Sequence, residues 1–218
     1  MPAQDPVRVA KPIVLAIGLA PFVWLAWAFL IVLETLPPNT IIGDLGANPV
    51  EYVRNFTGEW TLRFLVLTLA MTPVRQITGW NGAIRFRRMF GLLAFFYSAV
   101  HFITYLGLDV VFDMEVLWKD VAKRPFITAG FISFVLMLPL ALTSTKGWIR
   151  RLGGHRWQQL HWLVYPSAIA GVVHYYWKVK LDIRYPVMYA VAFGLLLGYR
   201  VVRKLMKRGS SGARAAAG

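Results

Sequence analysis

The sequence has no cysteine. That excludes disulfides, cysteine zinc sites, iron–sulfur clusters, thiolate-ligated haem and the thioether attachment of c-type haem. Acidic residues are scarce as well: Asp and Glu number 10 against 24 Lys and Arg, a net charge of +14. Charge of either sign is thin, at 16% of residues, where soluble domains carry about 25%. A Gly-rich dinucleotide fingerprint is also missing, so NADH or NADPH is not expected to bind directly. In place of these the chain has hydrophobic residues, 57% of the total.

They fall into six runs, at 12–33, 60–76, 89–108, 125–145, 157–177 and 185–202. A bilayer needs about 20 residues of helix. The second run is the weakest, being short and carrying Arg63 and Arg75 near its ends, and Arg200 lies close enough to the end of the sixth to snorkel. The first run is longer than the roughly 7–15 apolar residues of a secretory signal and is read as a retained span. The expected architecture is an all-α integral membrane protein, a six-transmembrane-helix bundle with both termini cytoplasmic. One domain covers 1–208, and the Gly, Ser and Ala of 209–218 are expected to form a flexible tail.

The charges orient this bundle. The N-terminal segment, second loop, fourth loop and tail hold 16 basic residues and one acid, Asp5. The first, third and fifth loops hold seven basic residues and nine acids. Under the positive-inside rule the first group faces the cytoplasm. Because the basic clusters flank spans, they do not form a nucleic-acid platform, and membrane lipids are the expected partners. In the first loop, Pro37-Pro38 reads as a turn and 48–58 as the start of a short interfacial helix. The third loop, 109–124, reads as an amphipathic surface segment or a partner-docking face.

Three of the four histidines, His101, His161 and His174, lie inside expected spans. Any one of them has a plain reading, a hydrogen bond to a neighbouring helix. Three together, with no Asp or Glu in a span, look less like a proton relay than like ligands for a metal or haem iron. His101 and His174 fall at similar depth on different spans and form the preferred bis-histidine pair. His161 lies thirteen residues before His174, roughly 20 Å along a helix, too far to share one iron. Thirteen helical steps also turn the chain by roughly 220°, and a kink at Pro166 is one way to correct that phase. His155 reads as a solvated loop residue.

The run Gly154-His155-Arg156-Trp157-Gln158-Gln159-Leu160-His161, with Tyr165 and His174-Tyr175-Tyr176-Trp177 beyond it, resembles the MsrQ (YedZ) family. So do Ala99-Val100-His101-Phe102-Ile103-Thr104-Tyr105, Arg85-Phe86-Arg87-Arg88-Met89-Phe90-Gly91-Leu92, Leu69-Ala70-Met71-Thr72-Pro73 and Leu142-Thr143-Ser144-Thr145. The resemblance covers about residues 11–207. It implies a multi-pass protein of the bacterial inner membrane, related to ferric-reductase transmembrane domains, that binds haem b (one or two) and FMN. Such a protein passes electrons from a quinone or a cytoplasmic flavin reductase to a periplasmic molybdopterin methionine sulfoxide reductase, which repairs oxidised proteins. The family's haem histidines fall on His101, His161 and His174. Arginines at span ends are candidate propionate or FMN phosphate contacts, with Arg63, Arg88 and Arg156 foremost and Arg85, Arg87 and Arg184 behind them. The plain role of each is topology and lipid headgroup contact. A ferric or metal reductase acting on a free external substrate is the alternative. A non-redox transporter is a third reading, for which no broken-helix repeat is found.

Overall fold

The computed structural model describes residues 5–33 and 45–216, with side chains as far as 206. The Pro37-Pro38 turn lies outside these residues. Helix α1 spans Pro6–Val32, α2 Pro49–Thr78, α3 Ala83–Thr104, α4 Met114–Lys123 and α5 Pro125–Leu142. Two short helices follow, α6 at Lys146–Leu152 and α7 at Gly154–Leu160, then α8 at Val164–Lys178 and α9 at Arg184–Ala216. A π-helical turn at Tyr105–Asp109 extends α3, a 3₁₀ turn occupies His161–Leu163, and the described residues are otherwise turns and connections, with no strand.

Four segments are long and apolar enough to cross a membrane: Pro6–Val32, Ala83–Asp109, Pro125–Leu142 and Arg184–Met206. The other two expected spans depart from that pattern. Helix α2 is 30 residues long, but it carries charge along its length, including Glu51, Arg54, Glu59, Arg63 and Arg75. It runs unbroken from the Asn48 cap, so the interfacial helix expected at 48–58 is its first turns. The single helix expected over 157–177 is three pieces. Helix α7 ends at Leu160, a 3₁₀ turn occupies His161–Leu163, and α8 begins at Val164. Pro166, in the first turn of α8, cannot donate to the carbonyl of Trp162, and the tighter turn ahead of it absorbs the change of phase. At the other end, α9 is described as far as Ala216.

Polar side chains within the bundle bond to main-chain carbonyls. In α2 the hydroxyls of Thr57, Thr61 and Thr68 each return to the carbonyl four residues earlier, at 2.6–3.0 Å. Between α5 and α8 the bonding is reciprocal: Ser133 Oγ donates to Ser167 O at 2.9 Å, and Ser167 Oγ donates to Ser133 O at 3.0 Å. Small residues let these two backbones approach that closely. Tyr97, fully buried, donates to Gly18 O at 2.8 Å and accepts from Phe22 N at 3.1 Å. Those two groups are four residues apart in α1, so the tyrosine bonds both members of one helical i to i+4 pair, beside Pro21. The amphipathic segment of the third loop is α4, capped by Asp113 and laid against α5 through Leu117 and the Trp118–Phe131 edge contact.

Arg200 does not snorkel. Its Nη2 donates to Leu69 O at 2.7 Å and its Nη1 to the Tyr165 hydroxyl at 2.8 Å. Leu69 is four residues before Pro73, which has no N–H to offer that carbonyl. The arginine of α9 therefore satisfies the acceptor that the proline of α2 orphans, and ties α2, α8 and α9 together. Arg200→Ala is expected to lower stability by about 1–3 kcal/mol, measured as thermal unfolding in detergent. Pro73→Ala in that background should recover part of the loss, since the new N–H meets Leu69 O; equal losses with and without Pro73→Ala would remove this account.

Candidate metal centre

His101 on α3 and His174 on α8 are brought together by how each meets a third helix. His101 Nδ1 donates to Arg54 O at 2.8 Å, and His174 Nδ1 donates to Phe126 O at 2.6 Å. Four residues after each of these carbonyls is a glycine, Gly58 in α2 and Gly130 in α5. A Cβ on Gly58 would lie 3.3 Å from His101 Nδ1, and one on Gly130 would lie 2.7 Å from His174 Nδ1. Each ring thus rests on a glycine and bonds the carbonyl one turn before it. With Nδ1 donating, Nε2 carries the lone pair, which is the tautomer that binds a metal.

The two ring centroids are 6.0 Å apart, with the planes at 79°. With metal–nitrogen bonds of about 2 Å and about 1 Å from each centroid to its nitrogen, two imidazoles on opposite sides of one ion have centroids about 6 Å apart. The observed spacing matches. Both rings line a cavity of about 490 Å³ between α2, α3, α4, α5 and α8. Such a volume is in the range of small-molecule and cofactor sites. Its apolar lining includes Leu62, Leu65, Phe102, Ile127 and Phe134, and Arg54, Asp109, Tyr175 and Lys178 line it as well. No group of three or more His, Asp or Glu side chains assembles among the described residues. A metal ion held between these two imidazoles would have two protein ligands, with the rest supplied by a bound group.

The remaining sequence candidates lie apart from this pair. His161 donates Nδ1 to Trp157 O at 2.9 Å and stacks on the Trp157 ring at 3.8 Å, while its Nε2 is 3.5 Å from Ser144 Oγ. His155 is exposed on α7. Arg63 bonds Glu59 at 2.7 Å and covers the Trp60 ring at 4.7 Å, outside the cavity wall. Arg88 and Arg156 are exposed. Sequence reasoning missed the cations that do line the cavity, Arg54, Arg124 and Lys178, and the glycine seats. Helical spacing held a signal for Lys178, one turn beyond His174. The equal four-residue offsets of Gly58 and Gly130 become visible only once the carbonyls are known.

Comparison with known proteins agrees with this architecture. Residues 57–172 match the family described as ferric reductase like transmembrane component. A protein of Herminiimonas arsenicoxydans is 50% identical over 81% of this chain and 82% of its own length. One from Xanthomonas oryzae pv. oryzae is 46% identical over 96% and 94%. A third, from Rhodospirillum rubrum, is 44% identical over 96% of both. All three are named protein-methionine-sulfoxide reductase heme-binding subunit MsrQ. With a matched membrane core that contains His101 and His161, and near-half identity from end to end, the chain belongs to the MsrQ family.

Proposed function

We propose that this chain is the haem-binding membrane subunit of a protein-methionine-sulfoxide reductase system, with haem b held between His101 and His174. It takes electrons from a quinone or a cytoplasmic flavin reductase and delivers them to a periplasmic molybdopterin catalytic subunit. The observation that carries the reading is the imidazole pair, 6.0 Å apart across a cavity of about 490 Å³, in a chain whose relatives are named heme-binding subunits. Those relatives are named for a protein-repair system, which favours a protein partner over a free ferric substrate.

Six spans with both termini in the cytoplasm of a bacterial inner membrane complete the reading. The supports are the 16 basic residues with one acid on one set of segments, against seven with nine on the other, and the 30-residue length of α2. In this orientation the His101–His174 pair lies in the outer half and His161 nearer the cytoplasm.

Haem bound between the two imidazoles supplies one-electron chemistry at an iron held away from water. The chain's own contribution is to fix the ligands. The carbonyls of Arg54 and Phe126 set the tautomer and aim of each ring. Gly58 and Gly130 admit the rings, and the apolar wall excludes solvent. His161 has Ser144, not a second imidazole, beside its Nε2, so one haem is the stoichiometry this arrangement favours. FMN, implied by the family resemblance, would meet its phosphate partners at the exposed Arg88 and Arg156, neither of which makes an ion pair among the described residues.

Full-length protein made with ample haem should show reduced b-type absorption bands. His101→Ala and His174→Ala should each lose most of that haem, while His161→Ala should keep it; absence of the bands from the unmutated protein overturns the reading. A bulkier residue at Gly130 provides an independent check. Gly130→Val must displace His174, because even a single methyl there lies 2.7 Å from Nδ1. Haem content should fall by more than half with the helical dichroism unchanged, whereas Gly194→Val, on an open face of α9, should leave it intact.

A further inference from the structure

Three cations line the cavity, and Arg124 is tied to Asp120, which leaves Arg54 and Lys178. Arg54 is one turn before Gly58 on α2, and Lys178 is one turn after His174 on α8. Both line the cavity. Each therefore stands one helical turn beyond a residue that forms the histidine seat, and on the same side of its helix. Arg54 has an ion pair through Nη1 with Asp109 on the far side of the rim, yet its Nε is buried without an acceptor. Lys178 bonds the neutral side-chain oxygen of Asn55 and makes no ion pair among the described residues. Of the acids near it, Glu51 accepts from the Asn48 side-chain amide, Asp109 is engaged with Arg54 and Glu59 with Arg63.

Half-buried cations with donors to spare, next to an apolar chamber, ask for an anion. The chamber's chemistry restricts which one. Its wall includes Leu62, Leu65, Phe102, Ile127 and Phe134 with the neutral Thr61, Ser98 and Ser133. Its charged groups, Arg54, Glu59, Asp109, Asp120, Arg124 and Lys178, all come from one end, near the start of α2, after α3, on α4, just before α5 and at the end of α8. A planar apolar ring system bearing carboxylates along a single edge fits that division, with the ring against the hydrocarbon wall and the carboxylates at the rim.

We infer that Arg54 and Lys178 bind the two carboxylates of the tetrapyrrole, anchoring its edge at the outer rim of the cavity. This rests on the haem reading above and extends it. Arg54 then serves twice, with its carbonyl holding His101 and its guanidinium holding the ligand edge. Arg63, the outer arginine that sequence position favours, is engaged with Glu59 and Trp60 and takes no part.

The test compares two probes on the full-length protein purified free of haem in detergent: haemin, and haemin dimethyl ester, in which both carboxylates are blocked. Affinities are read from the Soret titration. The unmutated protein should prefer haemin to the ester by at least tenfold, as expected for charge-assisted hydrogen bonds. Arg54→Gln and Lys178→Gln should each cut that preference several-fold, and the double variant should bring it near one. Lys119→Gln, on the exposed face of α4, should leave it unchanged. Because each preference is a ratio within one protein, a variant that folds poorly weakens both probes and does not mimic the effect. A preference that stays at the unmutated value in the double variant overturns the inference and leaves the histidine site standing, as does an unmutated protein that binds both probes equally. Binding of neither probe overturns the haem reading itself.

Discussion

The arrangement depends on a constraint that water would relax: at membrane depth a donor must find an acceptor inside the protein, and the most abundant acceptors are main-chain carbonyls. A helix carbonyl already bonded within its helix keeps a second lone pair, but a side chain reaches it only where the helix surface is low. Gly58 and Gly130 make those low places on α2 and α5. The histidines enter there and bond the carbonyls of Arg54 and Phe126. Without a glycine the imidazole could not approach its acceptor. Without the acceptor the ring would carry an unsatisfied N–H in a dry site, at a cost of about 1–3 kcal/mol. Glycine and carbonyl work as one seat, built twice.

The same constraint explains side chains that contribute nothing to the histidine site. Pro73 removes one helix donor and Arg200 supplies its replacement across 131 residues of sequence. Tyr97 enters α1 between Gly18 and Phe22, and Ser133 and Ser167 exchange hydrogen bonds between α5 and α8. These bonds fix helices in depth and rotation, which apolar contact alone does poorly in lipid, where the tails are as apolar as the side chains. The exchange between the serines bears on the histidines directly. Ser133 is three residues past Gly130, and Ser167 is seven residues, two turns, before His174. Sliding α8 by a turn against α5 would break both bonds and lift His174 from its glycine.

The sequence made the helical class and the depth of the histidines legible, because both follow from local quantities: the length of an uncharged run and the count of residues from its ends. The juxtaposition of His101 and His174 is legible by the same count. The broken fifth segment was less so. Pro166 marks the neighbourhood, but the break falls at His161–Leu163, since a proline disturbs the turn before it. Arg200 misleads for a different reason. Near a span end, snorkelling and inward bonding look alike in sequence, and the choice rests on an orphaned carbonyl in a helix far away in the chain. Arg54 and Lys178 were hidden among outer-loop charges, where counting signs for topology treats every cation alike.

That last point bears on how charge is used in this chain. The net charge of +14 is an orientation signal when summed over loops, and a sum discards position. On the side where acids outnumber bases, a cation left without an acid partner is more informative than any on the basic side. Arg63, Arg124 and Arg184 are each paired with an acid within their own or the next turn, Glu59, Asp120 and Asp182. In the last pair, the bonds from Arg184 hold the Asp182 carboxyl down to about 2, so the pair stays charged at any physiological pH. Lys178, like the exposed Lys123 and Lys180, makes no ion pair among the described residues, but of these three it alone lines the cavity. It is set one turn above His174, with a neutral amide for company, at the mouth of the one region where two imidazoles converge. The acidic end of the bundle makes such a cation stand out, and the fold puts it where a bound anion would satisfy it.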